Sequence, residues 1–145
     1  MFIQLMYVGR ISHPANTPHG QAGVAPSAVK PNTKIFTLSG LQDIPEPRTL
    51  RADEIPAVIQ EFRHAAAGAR RAGAEGVEIH GASGYLIHQF LSDHANLRTD
   101  QYGGSIERRI RFAVEVASAV ADETSLREHL PQCVFALLVV AHIFL

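Results

Sequence analysis

An amphipathic helix that runs almost directly into a short apolar strand is the feature that most limits how this chain can fold. Over residues 53–72 the apolar positions Ile55, Val58, Ile59, Phe62, Ala65, Ala66 and Ala69 recur every three or four residues, which buries one helical face. The ends agree with that assignment. Asp53 and Glu54 sit near the positive N-terminus, Pro56 falls in the first turn, and Arg70 and Arg71 precede Gly73 at the C-terminal end. Residues 76–79 follow at once and read, through Val77 and Ile79, as a buried parallel strand. An earlier apolar run, residues 2–8, reads as another strand closed by Gly9. Strand, loop, helix, strand and helix in succession is the alternation of an α/β protein with parallel strands.

Two more helices are expected downstream. Residues 85–91 form a short one through Leu86, Ile87, Phe90 and Leu91, and a polar loop runs on to Gly104. A longer one starts with Ser105 as its cap and buries a stripe of Ile106, Ile110, Ala113, Val114, Ala117 and Val120, with Glu107 four residues before Arg111. Residues 11–47 carry six of the chain's eight prolines and little periodicity, so they are expected to form a covering or binding loop.

The composition narrows the partners. A formal net charge of −1 over 145 residues provides no broad field for nucleic acid. One cysteine, Cys133, excludes an intrachain disulfide framework and a multi-cysteine metal site, and the cytoplasm is the expected compartment. The first eight residues lack a basic leader and are broken by Gln4, so no export signal is read there. The apolar run over residues 133–145 is shorter than the ~20 residues a spanning helix needs; membrane association is not expected from it.

Chemistry gathers where the second strand ends. His80 and Ser83 each carry a donor that can converge on one ligand oxygen, and Gly81 and Gly84 permit a sharp turn between strand and helix. Tyr85 adds a phenolic proton suited to general-acid work on a carbon that becomes anionic. On the residues alone an alternative stays open, in which His80 only satisfies nearby backbone groups and Ser83 caps the following helix. A metal site at His80, His88 and His94 is disfavoured, because the spacing is wrong and no partnering carboxylate motif appears.

QLMYVGRISHP at residues 4–14, APSA at 25–28, PEPRTL at 45–50, VEIHGASGYLIHQFL at 77–91 and NLRTDQYGGSIERR at 96–109 together resemble the old yellow enzyme family of FMN-dependent NADH:flavin oxidoreductases and ene-reductases. That resemblance implies a partial (β/α)8 TIM barrel of about two strands with their helices and a long loop, over residues 1–123, followed by a divergent apolar tail at 124–145. It implies that Gln4 contacts the pyrimidine edge of FMN and that His80 and Ser83 hold a carbonyl or nitro oxygen of the substrate. Tyr85 then protonates the alpha carbon of an activated alkene, and NAD(P)H serves as reductant.

Three positions depart from the family pattern: Ser83 stands where Asn or His is usual, Met6 where Trp is frequent and Tyr7 where His is frequent. A complete barrel needs ~200 residues or more. The resemblance also begins within what would be the third strand and lapses near Thr124, which implies a truncated barrel. Such a chain either retains partial ene-reductase character or is an inactive fragment, with self-association through exposed strand edges as a further possibility.

Overall fold

The computed structural model describes residues 1–123 and the backbone of Leu138–Val140. Strand β1 (Phe2–Leu5) leads through two 3₁₀ turns, Pro14–Asn16 and Pro18–Gly20, to β2 (Val24–Ala25). An antiparallel hairpin follows, β3 (Lys34–Thr37) with β4 (Gly40–Asp43), and then β5 (Arg48–Thr49), which lies parallel to β2. Helix α1 (Ile55–Arg71) precedes β6 (Gly76–His80), α2 (Leu86–Leu91), α3 (Ile106–Arg109), α4 (Arg111–Glu123) and β7 (Leu138–Val140).

The principal sheet has the order β1, β6, β7, all parallel. Ile3 lies opposite Val77 and Gln4 opposite Glu78, while Glu78 and His80 lie opposite Leu138 and Val140. Because side chains alternate across a strand, Leu5, Val77 and Ile79 point to one face and Gln4, Glu78 and His80 to the other. The first face is covered. Val58, Ile59, Phe62 and Ala66 of α1 and Phe112, Val116 and Val120 of α4 close over it as one core. Phe90 of α2 stacks on Phe112, ring centroids 4.2 Å apart, and joins the short helix to the same core.

Four expectations need correction. The first strand stops at Leu5 rather than reaching residue 8, because the carbonyls of Tyr7 and Val8 are taken by Leu86 and Ile11 N–H groups as the chain turns at Gly9. The excursion over residues 11–47, expected to be loop with little periodicity, contains a regular hairpin of Lys-Ile-Phe-Thr and Gly-Leu-Gln-Asp strands. The sheet has three strands rather than two, the third drawn from the stretch read as a divergent tail. Finally, the helix expected from Ser105 is broken at Ile110 into α3 and α4.

The buried face also differs from the expected one, although Ile110 keeps helical φ and ψ and is bonded to Ile106 O and by Val114 N–H. Ile106 (64 % exposed), Ile110 and Val114 point to solvent, and the inward row is Phe112, Val116 and Val120 at spacings of four. Ser105 occupies the N-cap position without a capping bond from its side chain. Its hydroxyl instead bonds the Glu107 carboxylate and holds that group below its ordinary range. The apolar run expected at residues 133–145 lies outside the described residues apart from the β7 backbone, and among the described residues no helix is long and apolar enough to cross a membrane.

Candidate active site at the C-terminal ends of the strands

Strand β6 ends at His80, and the chain reverses through Gly81, Ala82, Ser83 and Gly84 before α2 begins. Tyr85 N–H donates to Ala82 O at 3.1 Å, and Ser83 (φ 57°) and Gly84 (φ 74°) both adopt left-handed conformations. Positive φ at both central positions is the pattern of a type I′ turn. It throws the exposed Ser83 outward and sets Tyr85 at the N-cap of α2, with its ring 5.0 Å from that of His80. Ser83 is therefore not the helix cap; Tyr85 holds that position.

The turn is fixed from beneath. Gly84 N–H donates to His88 Nδ1 at 2.9 Å, and Gly84 O accepts from Gln89 Nε2 at 2.7 Å. His88 thus spends its Nδ1 on the turn, and His94 is an exposed side chain beside Asp93. Among the described residues no group of three or more His, Cys, Asp or Glu side chains is arranged to hold a metal ion.

His80 Nε2 is one of three buried side-chain atoms without a hydrogen-bond partner among the described residues, with Arg10 Nε and Arg109 Nε. A buried polar group without a partner costs ~1–3 kcal/mol in an otherwise satisfied protein, so such atoms concentrate where a ligand completes the set. On the same face of the sheet, Gln4 Nε2 donates to Glu78 Oε2 at 3.1 Å. A groove of about 310 Å³ flanks the outer edge of β1, lined by Gln4, Met6, Tyr7, Glu61 and Phe62, and does not include His80, Ser83 or Tyr85. Tyr7 turns the other way, its ring 6.2 Å from Phe62, and burial first, then the Glu61 carboxylate, pushes its phenol up.

The excursion is latched onto this end of the sheet by groups that the motifs alone left unassigned. Arg98 Nη1 donates to Pro26 O at 3.0 Å and to Leu50 O, while the same guanidinium grips Asp100. Ser27 Oγ accepts from Leu97 N–H at 2.9 Å. Asn96, also buried, donates to Phe90 O and Tyr102 O at 2.8 Å each. A signal for Gln89 did exist in the sequence, as a polar residue among the apolar positions of a short helix where burial forces full hydrogen bonding; Asn96 lies in a polar stretch and carried no such signal.

Residues 1–130 match the family model described as NADH:flavin oxidoreductase / NADH oxidase family. The chain belongs to that family. It is 49 % identical over 124 residues to 12-oxophytodienoate reductase 1 of Oryza sativa subsp. japonica, covering 84 % of this chain and 31 % of the relative. It is 51 % identical over 122 residues to putative 12-oxophytodienoate reductase-like protein 2A of Arabidopsis thaliana, covering 84 % of this chain and 44 % of that protein. Among solved structures, morphinone reductase in complex with tetrahydroNAD superposes with a TM-score of 0.77 at 47 % identity, over 82 % of this chain and 34 % of the enzyme. The old yellow enzyme homologue from Zymomonas mobilis superposes with a TM-score of 0.81 at 39 % identity, over 84 % of this chain and 34 % of that one. The chain thus spans about a third of the length of most of these relatives, and the solved structures among them are old yellow enzyme barrels.

Proposed function

We propose that this chain carries part of the active site of an FMN-dependent ene-reductase, within a partial (β/α)8 barrel whose strand ends bear the reacting groups. The observation that carries this reading is the buried, unpartnered Nε2 of His80 beside the Tyr85 ring, at the C-terminal end of a parallel strand. Gln4 fits the pyrimidine edge of a flavin. Its bond to Glu78 uses one Nε2 proton and leaves Oε1 as an acceptor and the second proton as a donor. Bound FMN, reduced by NAD(P)H, supplies the reducing equivalents for an activated alkene or nitro compound.

The remaining work falls to the chain. His80 Nε2 donates to the carbonyl or nitro oxygen of the substrate, and the Ser83 hydroxyl is the second donor to it. Together they stabilise negative charge as it develops there. Tyr85, held against His80 by its N-cap position, delivers its phenolic proton to the carbon alpha to the activating group.

An FMN titration of the purified chain, following flavin fluorescence and visible spectrum together with oligomeric state, tests the reading. Saturable one-to-one binding by a folded species, with NAD(P)H-driven reduction of cyclohexenone above the rate of free FMN, is the expected result. Absence of binding would sink it. A second reading is favoured by the outer edge of β1, which has no strand partner among the described residues. In that reading the chain has no activity of its own and pairs this edge with another copy or another chain. Light scattering then reports an oligomer, and FMN binds only after the partner is supplied.

A further inference from the structure

Gln89 is 1 % exposed, and its amide bonds only to backbone. Nε2 donates to Val8 O at 3.1 Å and to Gly84 O at 2.7 Å, while Oε1 accepts from Arg10 N–H at 3.2 Å. Two of these partners lie in the loop that leaves β1, the strand bearing Gln4. The third lies in the turn that carries Ser83 and leads into Tyr85. Gly9, between the two β1-side partners, has φ +61°, and a Cβ there would collide with the Gln89 amide, overlapping Oε1 and lying 2.6 Å from Nε2. The loop therefore approaches the amide as closely as a backbone can.

We propose that Gln89 is a positioning residue that locks the loop after β1 to the donor turn after β6. The lock holds Gln4, on the flavin side, at one spacing from Ser83 and Tyr85, on the substrate side. An amide suits this task better than any other side chain in the helix, since it offers donors and an acceptor from one planar group. Leucine or methionine would fill the same volume and leave the half-buried Gly84 O and Arg10 N–H without these partners, and Val8 O with the Ile11 N–H alone. This role presupposes the flavin reading above, whereas the lock itself is measurable without flavin, so either can fail alone.

The test is amide hydrogen exchange on the full chain without FMN, in a cycle of Gly9→Ala and Gln89→Met. Gly9→Ala pushes on the amide from the β1 side. It is expected to speed exchange of the Gly84 and Tyr85 N–H groups on the order of tenfold, although neither touches residue 9. Gln89→Met alone is expected to do the same, and the double variant no more than either. If Gly9→Ala leaves Gly84 and Tyr85 unchanged, or if the two effects multiply, the lock does not run through Gln89. Where Gln89→Met gives no cooperative melt, Gln89→Glu replaces it, keeping an acceptor for Arg10 N–H while the ionised carboxylate loses both donors. Fast exchange at Gly84 and Tyr85 with Arg10 still slow is then expected; equal loosening at Arg10 would overturn the proposal.

Discussion

Residue 83 combines two demands that a serine meets poorly. Its φ of 57° lies in the left-handed region, which costs most L-residues ~1–2 kcal/mol and which asparagine tolerates better. The same position is proposed as the second donor to substrate, and a hydroxyl reaches less far than a carboxamide. Ser83→Asn should therefore act twice. It should raise stability by about 0.5–1 kcal/mol in urea unfolding, and in a chain that turns over it should raise kcat by roughly 5- to 150-fold, the equivalent of ~1–3 kcal/mol. A stabilised variant with unchanged kcat would leave the backbone argument intact and remove Ser83 from the donor set. Gly103 poses the opposite problem: its φ is ordinary, but a Cβ there would collide with the carbonyl and Cβ of Arg98. Because backbone rather than a side-chain tip must give way, Gly103→Ala is expected to cost about 1–3 kcal/mol in the same assay.

Among the elements, α1 was legible because its apolar positions, its first-turn proline and its terminal arginines all agreed, and the observed Ile55–Arg71 lies within two residues of the expectation at its N-terminal end. The helices after Gly104 were misread for an identifiable reason. A stripe beginning at Ile106 satisfies helical periodicity, but periodicity carries no information about a break at Ile110 or about which neighbour a face will meet. The face that won is the one whose Phe112 stacks on Phe90. Phe112→Ala should accordingly cost ~3–5 kcal/mol, while Ile106→Ala, on the exposed side, should cost far less; comparing the two by thermal melting tests which stripe is the core. The hairpin of β3 and β4 escaped notice because Phe36 and Leu41 point outward and Ile35 is only half-buried, so the alternation does not mark a buried face.

For the molecule as a whole, the strand-end turn that carries the candidate residues was legible and the long-range pairing around it was not. His80, Ser83 and Tyr85 lie close in sequence, and the turn between them was legible through Gly84, whereas its other left-handed position falls on Ser83 and not on Gly81. That Gln4 sits opposite Glu78 is a pairing across 74 residues, which no local spacing encodes. The pH limits of the fold have the same distributed origin. Burial first, then the Glu115 carboxylate that accepts its proton at 2.9 Å, pushes the Tyr102 phenol from 10.0 up to about 12. A raised phenol stabilises the fold fully below the unfolded value near 10, and that stability disappears as pH rises from there through about 12. The wild-type chain should lose stability across that window more steeply than Tyr102→Phe, as measured by urea midpoints. At the acid end, the Arg98 guanidinium holds the Asp100 carboxyl below 3.8, so its contribution is present above that value and is lost as pH falls below it. Arg98→Met should flatten the acid limb.

Arg98 has one further consequence. A single guanidinium holds Pro26 and Leu50, points near the middle and the end of the long excursion, against the loop that carries Asp100. The excursion's bonds to that loop therefore gather at one catch, since Ser27, next to Pro26, accepts from the N–H of Leu97, next to Arg98. To a protease it presents a binary substrate: with the catch closed, its peptide bonds are shielded together, and once the catch opens they become cleavable together. Limited digestion should pass from intact chain to several cuts within residues 11–47 without a ladder of singly nicked forms.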